Sequence, residues 1–155
     1  MTNRRQVLRA AGLMALAAPC AGIVQAIEDA APLRFGELYV GATFQEGIGA
    51  GPVLKLSAKA LALSGRRVTM VGFMDGILPR DGMYFMLIKE PSFLCPFHTV
   101  SFDWAGFVPI FVARPVEYVD GPVRVTGRFE AGGKTDEMGL VSHVRIYDAQ
   151  LTRVR

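Results

Sequence analysis

From residue 66 onward the chain reads as short apolar runs broken by glycine, proline and aspartate, the pattern of strands joined by turns. Val68, Val71, Phe73 and Met74 lie in a β-prone run, and Gly72 within it predicts a bulge or bend. Residues 75–82 are dense in turn formers. Residues 83–88 are nearly all apolar, as a strand buried on both faces would be. Residues 108–112 predict another strand, with Pro109 placing it at a sheet edge or a strand start. Asp120-Gly121 predicts a turn. Residues 122–129 then alternate, with Val123, Val125 and Gly127 on one face and Arg124, Thr126 and Arg128 on the other. A polar loop is expected over 132–139, and a last strand over 140–147 that the tail to Val154 extends.

The first half has a different texture. Residues 30–52 hold one apolar patch, Leu38-Tyr39-Val40, inside glycine-rich sequence, which predicts an ordered arm or edge segment followed by a loop. Leu54, Leu56, Ala58, Ala60, Leu61 and Leu63 form a run of helix formers ending at Gly65. They predict a helix of two to three turns near 57–64. The expected fold is therefore mainly β: a small OB-like five-stranded barrel with one short helix before its first barrel strand. Three segments follow: 1–26 as a leader, 27–54 as an arm and glycine-rich loop, and 55–155 as the barrel domain.

The leader changes the functional picture most. Arg4-Arg5, followed by Leu8-Arg9 and an apolar, small-residue stretch from Gly12 to Ile23, resembles a twin-arginine export signal. The closest rival is an ordinary Sec signal. The stretch is too short and mild for a membrane span, which needs about 20 strongly apolar residues, so no span is expected in the mature chain. Cleavage after Ala26 removes Cys20; the alternative is lipid attachment at Cys20, although the aliphatic residue such a box wants is one place too early. The expected location is the periplasm, with the twin-arginine translocase as the partner during export.

Charge then narrows the function. Three of the 17 basic residues, Arg4, Arg5 and Arg9, lie in the leader, which has no acid, leaving 14 basic against 14 acidic residues. A chain of zero net charge lacks the surplus of Lys and Arg that nucleic-acid binding uses to neutralise phosphates. Arg66, Arg67, Arg124 and Arg128 read better as a solvated strand face than as a basic stripe. Paired carboxylates, a phosphate-binding loop and a Ser-His-Asp order are not recognisable.

Three stretches carry a family resemblance: Gly65-Arg-Arg-Val-Thr-Met-Val-Gly-Phe-Met74, Phe93-Leu-Cys-Pro-Phe-His98 and Pro122-Val-Arg-Val-Thr-Gly127. Together they resemble a family of exported bacterial OB-type barrels with no assigned activity, some of whose members have Cys-Pro-Phe-Cys in the middle loop. The resemblance implies a barrel with a Cys-containing loop. It departs at His98, which stands where the second Cys would be, so a disulfide within this loop is out of reach.

Cys95 and His98 are the main ligand-like pair. Thiolate and imidazole two residues apart suit zinc or copper, and His143 and Asp103 are available to complete a site. The blander alternative is a small buried thiol with His98 bonded to its own loop. A third reading makes Cys95 a nucleophile with His98 or His143 as base, the pattern of a thiol-dependent enzyme. Phe93, Phe97, Phe102 and Trp104 cluster around the same loop, either as a docking surface or as a plug on the barrel end. The expected function is a non-enzymatic cell-envelope binding or accessory protein that meets a protein partner through the 95–104 loop, with metal binding as the alternative.

Overall fold

The computed structural model describes residues 29–44, 52–75, 81–91, 104–135 and 141–154. Arg4, Arg5, Cys20, Phe93, Cys95, Phe97, His98, Phe102 and Asp103 lie outside the described residues, as does the side chain of Trp104. Among the described residues eight strands run in chain order: β1 (Ala31–Pro32), β2 (Tyr39–Phe44), β3 (Pro52–Leu56), β4 (Arg67–Met74), β5 (Tyr84–Ile88), β6 (Phe107–Val112), β7 (Pro122–Thr135) and β8 (Val141–Arg153). One helix, α1 (Ala58–Leu63), precedes β4. No helix among the described residues is long and apolar enough to cross a membrane.

The last five strands close into a ring. Their order is β4-β5-β6-β8-β7, and β7 pairs back onto β4. All contacts around the ring are antiparallel except β6–β8, which is parallel. The arm is not free of the barrel: β1 adds to β4 in parallel, and β2 and β3 form a separate antiparallel pair. The mainly β fold, the five-stranded ring and the single helix ahead of its first strand are as the sequence predicts.

Alternation explains the interior. On β4 the side chains of Val68, Met70 and Met74 point into the core, as do Val123, Val125 and Phe129 on β7. On β5 both faces are buried: Phe85 and Leu87 join the main core, while Met86 and Ile88 pack outside the ring with Phe107, Phe73 and Tyr84. That second cluster is why residues 83–88 show no polar alternation. α1 closes one end with Ala60 and Leu63. Its N-cap is Ser57, whose hydroxyl accepts the Ala60 amide at 3.0 Å. Six residues make under two turns, so the helix is shorter than its apolar run predicts; Leu54 and Leu56 belong to β3 instead.

Two glycines let strands approach closely. At Gly72 β4 passes from β7 to β5, and a Cβ there would lie 2.6 Å from the Ile88 carbonyl oxygen. Gly127 faces a β-bulge, where the single residue opposes Asp148 and Ala149 of β8. Asp148 has a φ of 53°, a left-handed conformation that Asp tolerates better than most residues.

Three sequence expectations are corrected. Pro109 is neither at an edge nor at a strand start: it lies inside β6, between β5 and β8. The facing Met86 carbonyl turns away to accept the Asp75 amide, so the β5–β6 ladder does not use the missing N–H, and the pairing with β8 begins one residue later, at Ile110. Thr126 is buried rather than solvated, and its hydroxyl donates to the Thr69 hydroxyl at 3.1 Å. The glycine pair at 132–133 does not open a loop. β7 continues through it to Thr135 by means of a second bulge, in which Gly132 and Gly133 oppose His143.

Candidate functional site

The pairing register lines up a row of side chains on the outside of the ring. Tyr84 of β5 faces Phe111 of β6, with ring centroids 5.2 Å apart and tilted at 49°. Phe111 stacks on Tyr147 of β8 at 4.8 Å and 18°. Tyr147 in turn faces Arg128 of β7, whose guanidinium carbon is 5.1 Å from the ring centroid. Arg128 also pairs with Asp148 at 3.4 Å. Three aromatic rings therefore run across β5, β6 and β8, ending on an arginine. All three are half-buried.

A groove of about 510 Å³ follows this row. Its apolar wall is Met83, Tyr84, Pro109, Phe111 and Tyr147. Its polar groups are Asp81, Lys134, Thr135, Ser142 and Arg145. This size, and an apolar lining with a few converging polar groups, are those of a small-ligand site.

The charges in the groove are not equivalent. Arg145 is 2% exposed. Its guanidinium donates to the Glu130 carboxylate, to the Gly132 carbonyl, to the Ser142 carbonyl at 3.1 Å and to the Ser142 hydroxyl at 3.2 Å. It pins the second bulge with four of its five N–H donors, and Glu130 balances its charge. Lys134 is exposed and donates to the Tyr147 hydroxyl at 2.9 Å. A contact that short to the hydroxyl places the ammonium off the edge of the ring, so this is a hydrogen bond rather than a cation over a face. That bond is the main reason the Lys134 pKa is raised. Among the described residues no carboxylate lies within ion-pairing distance of Lys134. Asp81 stands at the other end, where its Oδ1 accepts the Met83 amide at 3.1 Å.

Of the residues the sequence singled out as ligands or docking groups, His143 is the one whose side chain is described. It lies in β8 opposite the Gly132-Gly133 bulge and lines a narrow crevice with Tyr39, Phe107 and Pro109. Burial lowers its pKa below 6.5, and the Arg145 charge lowers it further. Burial also raises the Tyr39 pKa, leaving that phenol uncharged. His143 is thus held neutral, and its contribution to stability is full above pH 6.5 and lost as the pH falls through the lower, folded value. Thermal melts of the wild type and His143→Gln from pH 7.5 down to 5 should show the wild type losing its advantage on the acid side. Parallel curves would remove His143 as the cause.

Trp104 opens a 3-10 turn, Trp104–Gly106, that leads into β6. Among the described residues no group of three or more His, Cys, Asp or Glu side chains could hold a metal ion. The groove residues Tyr84, Phe111, Lys134 and Tyr147 are not ones the sequence pattern singles out. The segment holding Cys95 joins the Ile88 end of β5 to the Phe107 end of β6, whereas Tyr84 and Phe111 sit at the opposite end of the same strand pair.

Comparison with known proteins gives one kind of likeness. No family model matches the chain, and no curated protein does. Among solved structures, the crystal structure of a DUF3299 family protein from Pseudomonas aeruginosa PAO1 superposes with a TM-score of 0.56. The two are 17% identical, and the match covers 81% of this chain and 97% of that one. At that identity the likeness is one of fold: this chain shares the architecture of a DUF3299 family protein.

Proposed function

We propose that this chain is an exported, non-enzymatic binding or accessory module of the cell envelope, and that the groove along Tyr84, Phe111 and Tyr147 is a contact surface for its partner. The observation that carries the reading is the groove itself: three aligned rings beside an exposed lysine and an aspartate, on the outside of a closed barrel. The ring order, with its parallel β6–β8 contact, supports an OB-type barrel, a fold that binds through one face and its adjoining loops. Arg4-Arg5 supports twin-arginine export to the periplasm. The 95–104 segment remains a second proposed contact.

One fractionation experiment tests both halves. The full chain should reach the periplasm and sediment with the envelope. Arg4→Lys with Arg5→Lys should hold it in the cytoplasm, and Phe111→Ala should leave it periplasmic but mostly released from the envelope. Export of the double lysine variant would overturn the twin-arginine route. Unchanged sedimentation of Phe111→Ala would overturn the groove as the contact.

A further inference from the structure

We infer that the groove binds a neutral saccharide. This rests on the binding-module reading and names the ligand class for the same site.

The groove has little with which to attract a polyanion. Its buried cation, Arg145, is neutralised by Glu130, and Arg128 on the row beside it is matched by Asp148. What remains is one ammonium, Lys134, and one carboxylate, Asp81. Two opposite charges give no net field for a polyanion. The chain beyond the leader, with 14 basic and 14 acidic residues, adds none. A single nucleic-acid strand also uses stacked aromatics, but it binds through a positive track along its backbone. That track is missing among the groove's described residues.

The remaining chemistry is an apolar wall with hydrogen-bonding groups of both kinds at its rim. The half-buried Tyr84 and Phe111 rings and the exposed Met83 offer an apolar surface, and Pro109 adds its ring. Asp81 accepts, Lys134 donates, and the Thr135 and Ser142 hydroxyls do either. A pyranose matches this combination: it carries C–H bonds on its faces and hydroxyls around its edge. Packing a sugar face on an aromatic removes apolar area from water, while the edge hydroxyls replace water at Asp81 and Lys134.

The test uses the purified protein against an array of neutral oligosaccharides, hexose and N-acetylhexosamine chains, with a single-stranded thymidine decamer as the competing class. Binding to at least one glycan is expected, with little loss between 50 mM and 200 mM salt. Tyr84→Ala should weaken it about tenfold, the effect of losing one aromatic contact. Because Tyr84 also packs against Phe111, Lys134→Gln and Asp81→Asn provide variants at exposed positions that leave the fold intact. Each should weaken binding roughly fivefold, the effect of replacing a charge-assisted hydrogen bond by a neutral one. An array without binders, glycan binding untouched by all three variants, or binding to the decamer alone would overturn the inference. If the array is empty while Phe111→Ala still releases the protein from the envelope, the saccharide fails and the binding module stands. If both fail, neither stands.

Discussion

Arg145→Ala should destabilise the protein by about 3 kcal/mol, the largest effect expected of any single truncation outside the apolar core. The guanidinium is nearly inaccessible and serves four acceptors at once: one carboxylate oxygen, two carbonyls and a hydroxyl. Removing it leaves Glu130 without its partner and the Gly132 and Ser142 carbonyls without donors. Breaking a buried pair from one side costs about 3–5 kcal/mol. The Glu130 side chain is 36% exposed and can recover some hydration, which puts the value at the lower end. Lysine should not rescue it, since a point charge cannot span the acceptors that a planar fork reaches. Denaturant titration of the two variants decides the matter. A loss under about 1 kcal/mol in Arg145→Ala would show that the bulge holds its shape without the guanidinium.

Gly127→Ala should cost about 2–3 kcal/mol for a different reason. A methyl at this site would lie 2.6 Å from both the Tyr147 carbonyl oxygen and Ile146 Cγ2, and 3.0 Å from the Ala149 Cα. Two of those three atoms are backbone, held by the bulge at Asp148, so a rotamer change cannot clear the space. Gly133→Ala is the matched control: it lies in the other bulge, has nothing within 4 Å of a Cβ, and should change stability by less than about 1 kcal/mol. Equal melting temperatures for Gly127→Ala and the wild type would mean that the two strands can separate at the bulge without cost.

How far the sequence could be read follows from the range of the interactions involved. Period-two alternation and turn residues act locally, so the strands around Met70, Leu87, Ile110, Val125 and Ile146 were legible, as was the helix ahead of them. Pairing geometry is what the local pattern does not carry. Pro109 is a breaker by its own chemistry, and it is acceptable where the Met86 carbonyl turns to Asp75 and the β8 pairing starts only at Ile110. Gly132-Gly133 has the composition of a loop, and only Arg145, 12 residues beyond Gly133, turns it into a bulge. The groove was hidden for the same reason. Tyr84, Phe111 and Tyr147 stand on three strands far apart in sequence, and register alone makes them neighbours. A partial signal was present in Arg145 and Tyr147, two large polar-tipped side chains at alternate positions flanking the apolar Ile146. The 93–104 segment is conspicuous in the sequence instead because its four aromatics, Phe93, Phe97, Phe102 and Trp104, lie close together along the chain.

The place of β8 in the ring sets when the protein can fold. It lies between β6 and β7, and neither of those strands bonds to the other. A growing chain that has released every other ring strand therefore carries two open edges facing an empty slot, the arrangement most prone to pairing with another chain. Synthesis of the 13 residues of β8 takes roughly 1–3 s at ordinary elongation rates. Non-local closure of an all-β ring adds milliseconds to seconds after that. Under the proposed export route, which carries folded cargo, the interval before β8 inserts is the one in which the chain must be shielded from its own copies.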